Sequence, residues 1–316
     1  CHVHLVGDGS AESGCWFRLD TLFRRVQARV MLHGAGIDAK YLNGGLDDIY
    51  AETLATFVQE SSLDAVVLLA QDIPYDDAGN ALPEEAGFYV PNDYLFRVVE
   101  NYPDVFIPAV SIHPGRRDAM EELQHCIDRG ARVLKLLPNC LNIDYSRERF
   151  RPFWECMAAS DMILLSHTGG EKTLPVVRPE YADPKRLRLP LECGVTVIAA
   201  HSAGRSGLFD PDYTDDLLKL FKEYPNLYGD NSALCSLNRA RTFPKILKEA
   251  LMPRIIHGSD YPIPITGFGP WMSRVLSWKN YRRCQKIGNV IERDYQLKRA
   301  IGFPEETYTA MGELLR

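Results

Sequence analysis

Two histidines near the start of the chain have the spacing of metal ligands. In an extended strand, side chains two residues apart point to the same side, so His2 and His4 can offer two imidazoles to one ion at a strand end. Three later apolar segments also end in a residue suited to metal binding or acid–base chemistry, namely His167, His201 and Asp260. The recurrence of this pattern, more than any single histidine, predicts a metal site.

Histidine and carboxylate together form a mixed nitrogen and oxygen ligand set. Such a set holds a catalytic divalent ion and leaves a position open for water. Zinc suits these ligands best, with manganese or iron(II) as alternatives. Because zinc lowers the pKa of its bound water to about 7, hydroxide would be present at physiological pH. Asp260 can accept a proton from that water, and His201 can polarise a carbonyl or protonate a leaving group.

These side chains need a scaffold that gathers distant strand ends. The chain shows eight strand-like segments, most of them separated by helix-like ones. The predicted strands are a stub at His2 and residues 65–70, 105–112, 132–137, 162–165, 195–200, 226–229 and 254–257. The predicted helices are 19–32, 47–60, 92–100, 118–129, 149–159, 215–224 and 245–251, followed by a helical tail over 271–316.

This order favours an α/β fold of the (β/α)8 barrel type, as a single domain over residues 1–316, with catalytic residues at the carboxyl ends of the strands. The alternative is an open doubly wound sheet. It lacks support, because no glycine-rich phosphate loop follows the first strand.

The composition excludes several classes of protein. Of 316 residues, 46% are hydrophobic and 25% charged, as in globular proteins, and no long apolar span suggests a membrane helix. The net charge of −6 argues against a nucleic-acid surface. Eight cysteines without a CxxC pair favour reduced thiols in a cytoplasmic protein. Because the chain begins without Met and inside a strand, we expect further residues before Cys1.

Four short motifs together resemble the amidohydrolase superfamily, and most closely its amidohydrolase-2 branch of metal-dependent hydrolases and decarboxylases. They are the His-Val-His sequence at 2–4, Ser-His-Thr-Gly-Gly at 166–170, Ala-His-Ser-Ala-Gly at 200–204 and His-Gly-Ser-Asp-Tyr-Pro at 257–262. The resemblance implies a distorted (β/α)8 barrel. It also implies that His2, His4, His167 and Asp260 bind the metal and that His201 is the acid–base residue.

Lys135 leaves the number of metal ions open. It stands at the end of the fourth predicted strand. In other branches of the superfamily a lysine there is carboxylated and bridges two metals, and His201 would then bind the second. In the branch resembled here one metal is usual, and such a lysine has a structural or substrate-contacting role. A further alternative is that the Lys135 ammonium only forms an ion pair with a carboxylate inside the barrel.

Other polar residues receive weaker predictions. Arg205 follows His201 closely enough to reach a substrate carboxylate, for which a guanidinium is well shaped; the alternative is a surface arginine. His113 either lines the pocket or is a hydrogen-bonded structural residue. His257 is expected behind the ligands or in the core, because strand alternation turns it away from the side used by Asp260.

Three functions fit these residues. The first is a metal-dependent hydrolase of a small lactone, ester or amide, with metal-bound hydroxide as nucleophile and Asp260 and His201 in proton transfer. The second is a non-oxidative decarboxylase or hydro-lyase of an aromatic or unsaturated acid. The third is a metal-binding protein without turnover. We expect a small-molecule substrate, no nucleic-acid or membrane partner, and a homodimer on base rates alone.

Overall fold

The computed structural model describes residues 1–207, 210–248 and 251–316. Ten strands are formed within them, each beginning and ending close to the segments predicted above except for two short ones. The strands are β1 (Val3–His4), β2 (Trp16–Phe17), β3 (Val66–Leu69), β4 (Phe88–Tyr89), β5 (Phe106–Val110), β6 (Val133–Leu136), β7 (Ile163–His167), β8 (Thr196–Ala200), β9 (Leu227–Asp230) and β10 (Ile255–Ile256).

Eight of these strands form one parallel sheet that curls into a barrel. Their order is β1-β3-β5-β6-β7-β8-β9-β10, so each strand pairs with the next barrel strand along the chain. The seam between the two ends is closed by the segment after β10: Val3 forms a parallel bridge with Tyr261, and the Asp260 amide donates to the carbonyl of His2 at 2.8 Å. The prediction of a distorted (β/α)8 barrel in a single domain is therefore confirmed.

Helices separate most of the strands and cover the barrel. They are α1 (Leu22–Gly34), α2 (Leu46–Gln59), α3 (Asn92–Asn101), α4 (Ala119–Asp128), α5 (Pro138–Leu141), α6 (Arg151–Ala159), α7 (Arg188–Glu192), α8 (Thr214–Glu223), α9 (Phe243–Ile246), α10 (Phe268–Met272), α11 (Trp278–Cys284), α12 (Val290–Ile301) and α13 (Glu306–Leu314). The predicted helix 245–251 includes residues 249 and 250, which lie outside the described residues. Within the described parts of the chain, no helix combines the length and apolarity needed to cross a membrane.

The alternation of side chains along the strands divides the core into two layers. Val133 and Leu165 belong to the cluster inside the barrel, whereas Leu134 and Leu164 pack in the cluster between sheet and helices. Because side chains alternate with period two, the next residue on the inner side of β7 after Leu165 is His167. The same count puts Lys135 inside the barrel above Val133. Polar side chains thus follow apolar ones on the inner face toward the carboxyl ends of the strands.

A long excursion separates β1 from β3 and covers the mouth of the barrel. Its short strand β2 pairs with β4 in an antiparallel ribbon that the sequence did not predict. The buried carboxylate of Asp47 accepts the backbone amides of Asp8 and Ala11 at 2.7 and 2.9 Å, which ties the first loop to α2. A side chain at Gly7 would meet this carboxylate at 2.3 Å, so the close approach requires glycine.

Candidate metal centre

Three potential ligand atoms converge at the seam of the barrel. The Nε2 atoms of His2 and His4 are 3.3 Å apart, and Asp260 Oδ1 lies 3.0 Å from the first and 3.4 Å from the second. Ligand atoms on adjacent corners of a tetrahedron with bonds of about 2.1 Å would be about 3.4 Å apart. His2 and His4 are therefore joined by a carboxylate from the far end of the chain, and the three have the mutual spacing of ligands to one ion.

The protonation states expected at this site also suit a metal. Burial lowers the pKa of His4 to about 4, so its imidazole is neutral, which is the form that binds metal. Burial alone would raise the pKa of Asp260, but the nearby His2 and His201 and hydrogen bonds from His2 and His4 hold it well below its usual range. The site therefore presents a neutral imidazole at His4 and an ionised carboxylate at Asp260.

His167 supplies a further test of whether a metal fits. Its Nε2 atom is buried, and within the described residues it has no hydrogen-bond partner; the nearest carboxylate oxygen is Glu171 Oε2, 3.8 Å away. A buried polar atom without a partner is costly, and a metal ion would compensate it. Burial, with a smaller effect from His201, keeps the pKa of His167 well below its usual value, so the ring is neutral. The donor set fits a divalent ion with nitrogen and oxygen ligands.

Asp230 orients the imidazole of His2 through the ring nitrogen that faces away from the other ligands. It is fully buried at the end of β9, and its Oδ2 atom accepts a hydrogen bond from His2 Nδ1 at 2.9 Å. A proton fixed on Nδ1 leaves the Nε2 lone pair of His2 free for a metal. Burial works to raise the pKa of Asp230, but His2, His201 and the Ser232 hydroxyl together hold it well below its usual range.

The sequence contained a signal for Asp230 that we did not use. The seventh predicted strand, residues 226–229, ends one residue before the strand of the structure, Leu227–Asp230. Asp230 is therefore a polar residue at the carboxyl end of a strand, like the predicted ligands. A second group of ligand-type atoms is formed by His2, His201 and Asp230, so His2 is common to both groups.

His201 lies beside the ligands in a strained turn. Its φ is +59°, and Ser202 and Ala203 also have positive φ, which non-glycine residues rarely adopt. Its ring centroid lies 5.1 Å from that of His2 and 5.0 Å from that of His167. The Asp230 carboxylate accepts the His201 amide at 2.6 Å, which holds this turn against β9.

The hydrogen bonds of His201 define its tautomer. Its Nδ1 atom lies 3.2 Å from the Ser232 carbonyl oxygen, which can only accept, so Nδ1 carries the proton and Nε2 has a free lone pair. Burial, followed by the charge of Arg239, keeps the pKa of His201 well below its usual value. The ring is therefore neutral before reaction and can accept a proton at Nε2.

Lys135 reaches the same centre from β6. Its side chain is fully buried, and Nζ lies 3.1 Å from His2 Nε2. Burial lowers the pKa of Lys135 to about 8, against the opposing effect of nearby carboxylates led by Asp260. Its position is compatible with either role predicted for it, a metal bridge after carboxylation or a substrate contact.

Arg239 is a buried charge that the sequence did not suggest. Its guanidinium donates to the carbonyl oxygens of Gly204 at 3.2 Å and Gly170 at 2.5 Å. These bonds join the loops that follow His201 and His167. Arg239 lies in a loop far along the chain from either histidine, so no local pattern connects it with the site.

The weaker candidates lie elsewhere. Arg205 is not among the residues that line the cavity described below, and its Nη2 atom lies 3.9 Å from Asp212 Oδ2. His113 is buried, with Nε2 hydrogen-bonded to the Leu141 carbonyl at 2.9 Å, as in its structural interpretation. His257 is buried with Nε2 3.9 Å from Asp294, away from the ligand cluster.

A cavity of about 1070 Å³, including the space at its open mouth, leads to this cluster. Its inner end is lined by five of the predicted site residues, namely His4, Lys135, His167, His201 and Asp260. His2 is fully buried directly behind them. The structure therefore gathers the predicted site residues at one end of a cavity that a small molecule can enter. His2, His4 and Asp260 lie close enough together to share one ion, whereas His167 lines the same end outside that group.

The fold and the site define an α/β-barrel protein with a candidate metal centre at the carboxyl ends of its strands. The chain belongs to the amidohydrolase family, since the family model for amidohydrolase (the amidohydrolase-2 family) matches residues 1–291. The resemblance stated from the sequence motifs is thereby confirmed. A search of curated proteins finds no match to the chain.

Solved structures with the same fold are distant in sequence. An uncharacterised TIM-barrel protein from Bordetella bronchiseptica is 18% identical, with a TM-score of 0.56 over 89% of this chain and 91% of that one. A probable 2-pyrone-4,6-dicarboxylic acid hydrolase from Acinetobacter baumannii is 14% identical, with a TM-score of 0.55 over 96% and 98%. A 2,6-dihydroxybenzoate decarboxylase from Rhizobium is 14% identical, with a TM-score of 0.52 over 84% and 87%. At these identities the likeness establishes the barrel and leaves the reaction open.

Proposed function

We propose that this protein is a metal-dependent hydrolase of a small organic substrate with a lactone, ester or amide carbonyl. The observation that carries the proposal is the convergence of His2 Nε2, His4 Nε2 and Asp260 Oδ1 within 3.4 Å of one another at the inner end of the cavity. Membership of the amidohydrolase family supports an enzyme.

One divalent ion, most simply zinc, would be held by His2, His4, His167 and Asp260. When bound, it supplies Lewis acidity and brings the pKa of a coordinated water to about 7. Asp230 keeps the ring of His2 in the orientation and tautomer that such an ion needs. Arg239 holds the two loops that carry His167 and His201 at a fixed distance.

Asp260 and His201 divide the proton transfers. Asp260 is ionised, so it accepts a proton as the attacking water loses it. The neutral His201 has its free lone pair on Nε2, so it can take up there the proton that Asp260 accepted from water and deliver it to the leaving group. The Ser232 carbonyl and hydroxyl keep the other nitrogen, Nδ1, in place during both steps. The barrel interior beneath these residues is apolar, which excludes bulk water from the inner side of the site.

Decarboxylation of an aromatic or unsaturated acid is the second candidate. The observation that favours it is the buried Lys135 ammonium, which lines the inner end of the cavity and, among the described residues, forms no ion pair with a carboxylate. It could pair with the carboxylate of an acid substrate. One of the structures with the same fold is a 2,6-dihydroxybenzoate decarboxylase.

The two reactions are separated by assays on the same zinc-loaded protein. We expect metal-dependent acid release from a panel of aryl esters and γ- and δ-lactones, and no carbon dioxide from 2,6-dihydroxybenzoate and related acids. Carbon dioxide release without ester or lactone hydrolysis would reverse the ranking. Activity that survives complete removal of the metal by a chelator, verified by metal analysis, would contradict both.

A further inference from the structure

The cavity that leads to the metal centre has most of its ionisable groups at one end. His4, Lys135, His167, His201 and Asp260 line the inner end, and Glu171 stands beside them with Oε2 3.8 Å from His167 Nε2. The Glu171 carboxylate is held there by the backbone amide of Leu174 at 3.1 Å. This end therefore provides polar contacts for the reacting group of a substrate.

The remaining wall is built mainly from hydrocarbon side chains. They come from α1, from the segment between α1 and α2, from the ribbon of β2 and β4, from the loop after β7 and from the segment after Asp260. Representative members are Phe17, Ala28, Met31, Leu42, Leu174 and Ile263. A wall of this kind gains most from contact with an apolar body, because burying hydrocarbon surface is favourable while desolvating an unpaired charge is costly.

Two arginines line the outer wall, and both are already engaged. The Arg24 guanidinium lies 2.8 Å from each carboxylate oxygen of Asp20, which neutralises it. Arg18 donates to the carbonyl oxygens of Ala86 and Pro83 at 3.1 and 3.0 Å, and it lies over the ring of Trp16 at 5.5 Å. Among the described lining residues away from the metal end, Arg18 is thus the one cation without a carboxylate partner, and its donors are shared with backbone carbonyls.

We infer that the substrate presents its reactive carbonyl to the metal end and carries an aryl or medium-chain alkyl body without a further carboxylate. A second carboxylate on that body would lie against hydrocarbon or compete with the existing partners of Arg18 and Arg24. This inference rests on the proposed function, because that function makes the metal end of the cavity the reacting end.

The inference is tested by binding, with no turnover required. Isothermal titration of the zinc-loaded protein compares butyrate, 4-phenylbutyrate and glutarate, which share one carboxylate and differ in what extends from it. We expect 4-phenylbutyrate to bind at least tenfold more tightly than butyrate, and glutarate to bind no more tightly than butyrate. A gain of less than tenfold from the phenyl group, or tighter binding of glutarate than of butyrate, would overturn the inference.

A pair of variants on α1 locates the effect in the cavity wall. Met31 lines the cavity, whereas its neighbour Val30 is 54% exposed and does not. Met31→Glu should weaken 4-phenylbutyrate binding at least tenfold, and Val30→Glu should change it less than twofold. Equal effects of the two changes would contradict the assignment of the wall. Ala28→Phe adds a variant that keeps the wall apolar: it should exclude 4-phenylbutyrate and leave butyrate binding within twofold.

The failures of the two proposals can be told apart. A zinc-loaded protein that prefers 4-phenylbutyrate but hydrolyses no ester or lactone contradicts the proposed function and supports the inference about the substrate body. Metal-dependent ester hydrolysis together with a preference for glutarate contradicts the inference alone. Zinc content and thermal unfolding measured on each variant ensure that only folded, metal-loaded protein is compared.

Discussion

The two ends of the cavity are constructed in different ways. At the metal end, side chains stand on or directly after barrel strands, and buried hydrogen bonds fix them: Asp230 binds His2 Nδ1 at 2.9 Å and the His201 amide at 2.6 Å. Much of the opposite wall is one face of α1, whose other face is in solvent, with Leu22 76% and Phe23 71% exposed. One end is fixed by buried hydrogen bonds, and the other is formed largely by a helix outside the barrel.

This difference indicates that the metal end determines the reaction and that the wall formed by α1 determines which molecules bind. Reacting groups need fixed positions, which neighbouring strands in a hydrogen-bonded sheet supply. A wall that only contacts the substrate body needs suitable surface, and an excursion outside the barrel supplies it without disturbing the sheet. Substitutions at the metal end should therefore reduce metal binding or turnover, while those on α1 should change which molecules bind.

His4→Ala should have the largest effect. Removing one of the converging ligands should abolish stoichiometric metal binding and lower kcat/KM at least a thousandfold. His33→Ala, an exposed histidine on α1, is the matched control and should leave both within twofold. Metal content by plasma mass spectrometry and initial rates give the comparison. A full equivalent of metal retained by His4→Ala would refute the assignment of His4 as a ligand.

His201→Asn should lower turnover while leaving the metal content of the protein unchanged. The asparagine cannot take up and deliver a proton, so kcat should fall by about a hundredfold or more, as for the loss of a general acid–base group. Metal content should stay near that of the parent. If half of the bound metal were lost instead, His201 would be a ligand in a two-metal site with carboxylated Lys135.

Asp230→Asn should lower the affinity of the site for the metal without abolishing metal binding. An asparagine keeps the shape but lacks the charge that fixes the proton on His2 Nδ1, and the loss of such a partner typically lowers metal affinity by about tenfold to a hundredfold. Competition with a coloured chelator measures the change. Asp48→Asn, an exposed carboxylate on α2, should leave the affinity unchanged. An unchanged affinity in Asp230→Asn would mean that Asp230 does not support the metal site.

Asp72 should have the smallest effect, which is on stability and not on metal binding or turnover. Its pKa is raised, whereas that of Asp260 is lowered. Asp72 is a buried carboxyl at the same rim, where burial raises its pKa to about 6 against the opposing charge of Arg116. The folded protein therefore holds this proton more tightly than the unfolded chain, and stability falls as the pH rises through this range. Between pH 4 and pH 7 the parent should lose about 2 kcal/mol more unfolding free energy than Asp72→Asn. Urea unfolding at both values checks this, and parallel pH profiles would show that Asp72 does not titrate as stated.

Much of the fold was predictable because the local signals agree with one another. Apolar runs marked the barrel strands, and helical patterns between them marked most of the helices. β2 and β4 were missed because two residues each are too few to show a periodicity, and they form only by pairing across the excursion. Helix α1 was predicted near its true bounds, but its sequence does not show which of its two apolar faces meets the cavity.

The residues alone determined which side chains could meet. The period of two along β7 puts His167 in line with the inner residues, and the turn after β10 supplies Asp260 at the rim. The sequence did not determine the distances between those side chains, because Val3 and Tyr261 pair only when the sheet curls into a barrel. The sequence places Asp230 at a strand end, but only the tertiary structure shows what Asp230 and Arg239 hold, since their partners in the loops after β7 and β8 lie at least 28 positions away. A strand pattern depends only on neighbouring residues in the sequence. The residues that hold a buried site in place come from distant parts of the chain, and they become neighbours only when the barrel closes.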